Sequence, residues 1–159
     1  AYFLAVFILG GALSQIPVGW LADKYDRRHV MIGLSIAAII SCLVTASLQE
    51  LSATGVMLTA FFFGLTAFPI YSVAAAHAND FATPEERVEL AAALMFFFAV
   101  GAIAAPLVAS GLIEQFGPSA MFLMIAAAHA ALILFGFLRM LVRPTTGEKT
   151  RYEIGRAHV

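Results

Sequence analysis

Charge is scarce in this chain. Only 12% of its 159 residues are Asp, Glu, Lys or Arg, about half the share of an ordinary soluble domain. With 62% apolar residues and a mean hydropathy of +0.92, the composition excludes a water-soluble globular protein and describes an integral membrane chain. Cysteine is nearly absent. The one thiol, Cys42, lies inside an apolar run and offers neither a disulfide framework nor a metal site. A glycine-rich phosphate loop, zinc-ligand spacing and a nucleophile elbow are all missing, so no catalytic motif points to an enzyme and none implies a cofactor or a metal. The basic residues carry no interleaved aromatics, which argues against a nucleic-acid partner. The net charge of −1 says little, because in membranes the distribution of charge outweighs its sum.

What is present is long apolar runs. Five spans of roughly 20 residues, the length that crosses a bilayer as a helix, cover about 1–21, 30–48, 57–76, 90–113 and 119–140. Isolated strands cannot satisfy their backbone in lipid, and these runs are too long and unbroken for barrel strands. The expected fold is all-α, a polytopic transmembrane helix bundle of five spans in a lipid bilayer, occupying residues 1–143 and followed by a polar tail over 144–153.

Charge gathers in the connections. Asp23-Lys24-Tyr25-Asp26-Arg27-Arg28 holds five charges in six residues, which cannot lie in hydrocarbon and reads as a tight turn at a membrane surface. Lys24, Arg27 and Arg28 in the first connection, Arg87 in the third, and Arg139, Arg143, Lys149 and Arg151 at the last helix end and tail make eight of the nine basic residues. The second and fourth connections have none. The positive-inside rule then assigns the first and third connections and the C-terminus to the cytoplasm. Glu50 and Glu114 sit at helix ends facing outside turns, at about 49–54 and Gly117-Pro118-Ser119.

Thr83-Pro84-Glu85-Glu86 has the form of a capping box, with Thr as cap, Pro at the first helical position and Glu at the third. A helix from Pro84 to Ile113 would be roughly 45 Å long against a hydrocarbon core of about 30 Å. An extension, tilt or kink is expected, with Pro106 as the kink.

The chain begins without Met, inside an apolar run and without a basic n-region, so a secretory signal peptide is not expected and the chain reads as a piece of something longer. The segment Glu153-Ile154-Gly155-Arg156-Ala157-His158-Val159 matches the in-frame translation of a common short-read sequencing adapter, whose next codon is a stop. Residues 154–159, and Glu153 with them, are therefore expected to be read-through and to carry no fold information.

Gly19-x-Leu21-x-Asp23-Lys24-x-x-Arg27-Arg28 resembles the signature of the major facilitator superfamily, which joins helices two and three and recurs in weaker form between helices eight and nine. Asp26 departs from the pattern, which prefers Gly there. A second stretch, His77-Ala78-Asn79-Asp80 through Arg87 and then Gly101-x-x-x-Ala105-Pro106-x-x-x-x-Gly111, resembles the tenth-to-eleventh-helix region of a little-characterised bacterial branch. Together the two matches cover most of residues 10–140. Four further spans and a basic tail suit helices eight to twelve; helices two to six are the alternative, and would be followed by a long cytoplasmic loop.

The resemblance implies secondary transport of a small solute by alternating access, in a bacterial inner membrane, between this half and an N-terminal six-helix half not contained here. A half alone is not expected to transport. Gly19 would allow close helix approach. Asp23 would pair with a basic residue or face a partner helix's N-terminus. Lys24, Arg27 and Arg28 would make contacts that break as the halves rock. Gly101, Ala105, Pro106 and Gly111 would form a packing and flexing helix.

Substrate-lining candidates are Thr59, Phe63 and Thr66, which share a helix face with Ile70, together with Ser14, Gln15 and Tyr71. Each such residue is more often helix–helix packing than a ligand contact. His129, at mid-span among alanines, is either a neutral histidine hydrogen-bonded to a neighbouring helix or a proton-coupling group. His77 reads as an interface or loop residue. No acidic residue lies at mid-span. The rival to transport is a membrane interaction or sensor module that keeps the fold; a membrane enzyme ranks behind both, since no span pairs a nucleophile with a base.

Overall fold

A computed structural model describes residues 2–47 and 52–142. Ala1, the 48–51 segment with Glu50, and residues 143–159, with Arg143, Lys149, Arg151 and the adapter-like end, lie outside the described residues. Regular structure among the described residues is entirely helical. The helices are α1 (Tyr2–Lys24), α2 (Arg27–Ser47), α3 (Ala53–Ala67), α4 (Pro69–Asn79), α5 (Arg87–Phe116) and α6 (Ser119–Val142). They make five segments long and apolar enough to cross a membrane, with α3 and α4 acting as one span over Ala53–Asn79.

That third span is interrupted at Phe68. Pro69 has no N–H to donate and its ring crowds the preceding turn, so the hydrogen-bond ladder breaks there. The Phe68 amide still reaches the Gly64 carbonyl at 3.2 Å and Phe68 keeps helical dihedrals (φ −64°, ψ −44°), which holds the two pieces in line. Pro106, the expected kink, lies inside α5. α5 remains a single helix through Pro106.

Two boundaries also move. The first connection, expected over 22–29, shrinks to Tyr25 and Asp26, because α1 runs on to Lys24 and α2 begins at Arg27. α5 begins at Arg87 and not at Pro84. Glu86 Oε2 does accept from the Thr83 amide at 2.9 Å, the return half of a capping box, but the Glu86 amide donates to the Thr83 carbonyl at 3.1 Å. Residues 84–86 therefore form a turn ahead of the helix.

On the opposite face, Ser52 Oγ caps α3 by accepting from the Gly55 amide at 3.2 Å. α5 ends at Gly117, whose φ of 85° is open to glycine at little cost. Ser119 Oγ, at the start of α6, donates to the Ala46 carbonyl near the end of α2 at 3.4 Å.

α1 packs most closely on α3, and α2 on α6. The α1–α3 crossing is a backbone contact made possible by glycine. A Cβ added at Gly64 would overlap the Phe7 carbonyl, one at Gly10 would overlap the Phe61 carbonyl, and one at Gly11 would run into the Phe68 ring. Small residues at helix crossings let dispersion contacts form where lipid removes the hydrophobic drive. Phe7 closes the crossing, with its ring 5.4 Å from Phe63 and 5.9 Å from Phe68. Towards the Lys24 end, Val18, Ala22 and Val73 form a small core that joins α1 to α4, flanked by Val30, Met31 and Leu34 of α2. α5 has no buried residue and touches only α4 and α6.

Candidate functional site

The α1–α2 turn is the chemically distinctive part of the molecule. Its local geometry follows from Asp26. The Asp26 Oδ1 accepts from the Arg28 amide at 2.9 Å, so the carboxylate caps α2 and meets the positive end of its dipole. The other oxygen, Oδ2, lies 3.9 Å from His29 Nδ1. Among the described residues only Gly117 has a positive φ. The turn at position 26 therefore needs no glycine, and the off-pattern residue serves as a helix cap.

Capping by Asp26 starts α2 with Arg27 and Arg28, both buried. Arg27 reaches across to the end of α4. Its Nη1 donates to the Ala76 carbonyl at 2.7 Å and also pairs with Asp80 Oδ1. Its Nη2 lies 3.5 Å from Asp23 Oδ1 on the last turn of α1. One guanidinium thus joins three helices. It satisfies a carbonyl at the negative end of α4 and neutralises Asp80, which would otherwise sit unfavourably at that helix end.

The three charged members differ in exposure. The Arg27 and Asp80 side chains are 7% and 11% exposed, whereas Asp23 is 63% exposed. Arg27 and Asp80 form the fixed part of the cluster. Asp23 is held more loosely, at the longest of the three distances, and keeps acceptor capacity towards the exterior.

Lys24 turns away from this cluster. Its Nζ lies 4.8 Å from the Trp20 ring centre and 5.6 Å from that of Tyr25. Leu21 and Gly19 are exposed.

Residues 1–157 match the profile of the Major Facilitator Superfamily. The chain belongs to this superfamily. It is a multi-pass membrane protein by family and by its five spans. An uncharacterized MFS-type transporter of Yersinia pestis (strain Pestoides F) is 29% identical over 150 residues, covering 94% of this chain and 37% of that protein. The uncharacterized MFS-type transporter YcaD of Shigella flexneri is 29% identical over 142 residues, covering 89% and 35%. The chain thus spans little more than a third of the length of the curated relatives it matches. No solved structure matches.

The superfamily signature therefore lies on two helix ends and a two-residue turn, and its Asp23 and Arg27 meet directly. Asp80 is the member that sequence reasoning missed. A carboxylate at the end of an apolar span, on the same face as the basic turn, was the available signal.

Other expected contacts are not made among the described residues. A Cβ at Gly19, Gly101 or Gly111 would meet nothing within 4 Å, and Ala105 and Pro106 are exposed. Close approach occurs at Gly10 and Gly64 because those residues lie where α1 and α3 cross.

Among the substrate-lining candidates, the hydroxyls of Ser14, Thr59 and Thr66 are taken up locally. Ser14 Oγ bonds the Gly11 carbonyl at 2.8 Å, Thr59 that of Val56 at 3.0 Å, and Thr66 those of Phe62 and Phe63 at 3.1 Å, all on their own helices. Phe63 faces Phe7, and the exposed Tyr71 stands edge-on to Phe98 with ring centres 5.5 Å apart. Gln15 is half-buried on α1. His129 is half-buried on α6, and no described residue supplies the hydrogen bond expected for it.

Proposed function

We propose that this chain is the C-terminal half, helices eight to twelve, of a secondary transporter that moves a small solute by alternating access. The observation that carries the reading is the Arg27 cluster. A buried cation that ties α1, α2 and α4 at one membrane face makes those ends move together, as rigid-body rocking requires. The exposed Asp23 is the member able to exchange partners. It pairs with Arg27 in one state and meets a helix end of the other half in the closed state. The α1–α2 turn and the C-terminus face the cytoplasm of a bacterial inner membrane, in line with the distribution of Lys and Arg.

Solute flux of the intact protein in proteoliposomes tests this, with Asp23→Asn as the matched variant. Flux that Asp23→Asn abolishes at normal expression supports gating. Absence of flux across a broad small-solute panel, with Asp23→Asn altering capture of a partner protein, would instead make the protein a sensor module on the transporter fold.

A further inference from the structure

The packing order leaves one face of α4 uncovered. α4 touches both α1 and α5, and among the described residues α1 and α5 do not touch each other. Val73 turns towards Val18 and Ala22 of α1. Ala74, His77 and Ala78 line a hollow shared with α2 and α6. Tyr71 leans on Phe98 of α5. The remaining arc carries Phe68, Ser72 and Ala75, whose four- and three-residue spacing sets them on one helix face. Phe68 keeps helical dihedrals, so the face runs unbroken through the junction. It opens between α1 and α5, with Phe68 and Ser72 both exposed.

The face lies deep. Phe68 and Ser72 are within about 10 Å of the middle of the Ala53–Asn79 span, and Phe98 within about 6 Å of the middle of α5, at 1.5 Å per residue. A hydroxyl at hydrocarbon depth is costly without a partner. Ser14, Thr59 and Thr66 find one on their own helices, whereas Ser72 has none among the described residues. Ser72 follows the Pro69 interruption by one turn, and Pro69 removes the donor that the Leu65 carbonyl would have had. Interrupted spans near the midplane mark solute sites in transporters built from repeats. Rings flank the hydroxyl, Phe68 being 42% and Phe98 58% exposed. Charge does not reach this depth: every described Asp, Glu, Lys and Arg lies in a connection or within one turn of a helix end. Asp80, two turns further along the chain from Ser72, is held by Arg27.

We infer that this face is the part of the solute site that this half supplies, and that the solute is an uncharged ring compound carrying a hydrogen-bonding group. The inference rests on the transport reading above. The solute ring packs against Phe68 and Phe98, since aromatic pairs favour offset or edge-on contact. Its polar group pairs with the Ser72 hydroxyl, which both donates and accepts. An ionised solute would sit where this half offers no counter-charge, at a cost that desolvation makes large. A ringless polyol would leave both phenyl rings without a partner.

Isothermal titration of the intact protein in detergent tests the assignment. The probes are tryptophol and thymidine, both uncharged rings with hydroxyl groups, against xylose, benzoate and tetraphenylphosphonium. One or both of the first two are expected to bind, and the other three are not. Ser72→Ala is expected to weaken binding about five-fold, the loss of one neutral hydrogen bond. Phe98→Leu is expected to weaken it by a similar factor, the share of an aromatic pair beyond its buried area. Both positions are exposed, so both variants are expected to melt close to the wild type. Ser110→Ala, which removes an exposed hydroxyl of α5 near its far end, is expected to change nothing. Tightest binding of xylose, benzoate or tetraphenylphosphonium would overturn the inference. So would binding of none of the five, no loss with Ser72→Ala, or an equal loss with Ser110→Ala. Flux of the intact protein separates the two levels: no flux of any solute removes the transport reading, whereas flux of a charged or ringless solute keeps that reading and removes only this inference.

Discussion

Asp80 holds Arg27 from 53 residues away in sequence, and the same guanidinium nitrogen donates to the Ala76 carbonyl one turn earlier on α4. The pair is buried and Asp23 is not, so the cluster divides into a structural part and an exchangeable part. That division gives the two carboxylates different mutational signatures.

Asp80→Ala leaves Arg27 buried without its main counter-charge. Removing one partner of a buried pair costs about 3–5 kcal/mol. A large fall in melting temperature of the detergent-solubilised intact protein is expected, with reduced folded yield. The Asp23–Arg27 contact is mostly exposed and should contribute under about 1 kcal/mol in a double-mutant cycle. Asp23→Asn is therefore expected to melt close to the wild type.

Asp26 is expected to act as a cap and not as a misplaced turn residue. Asp26→Ala should cost about 0.5–2 kcal/mol, whereas Asp26→Gly, which restores the superfamily pattern, should cost only a few tenths. Thermal unfolding of the two variants side by side checks the order. A Gly variant less stable than the Ala variant would contradict the capping geometry.

The α1–α3 crossing should tolerate no side chain at Gly64. Overpacking ordinarily costs about 1–3 kcal/mol, and here the obstruction is the Phe7 backbone, which cannot rotate away as a side chain can. Gly64→Val is expected to abolish the monodisperse peak in size-exclusion chromatography. Gly33→Ala, where a Cβ meets nothing within 4 Å, should preserve it.

Much of this was legible in the sequence, for identifiable reasons. Long apolar runs separated by charge mark helices and turns without any tertiary information, and the Gly19–Arg28 pattern carries the family. The extent of the helices was less legible. Charge in 22–29 read as loop, yet Asp23 and Lys24 extend α1 because helix ends at a membrane surface can carry charge. Pro69 was a visible breaker inside an apolar span, overshadowed by Pro106. The pairing of Arg27 with Asp80 and of Gly10 with α3 was not legible. Both depend on which helices become neighbours, and a periodic pattern within one helix does not record that.

The 159-residue chain alone is expected to show no solute flux in proteoliposomes, because a midplane site between two bundles needs both. Flux equal to that of the intact protein would overturn this expectation.

The central claim is that Asp23 gates while Arg27 and Asp80 hold the frame. Flux per folded intact protein for Asp23→Asn, measured beside its melting temperature, tests it most directly. The account predicts at least a ten-fold loss of flux with the melting temperature nearly unchanged. Wild-type flux from a normally folded Asp23→Asn protein would contradict it.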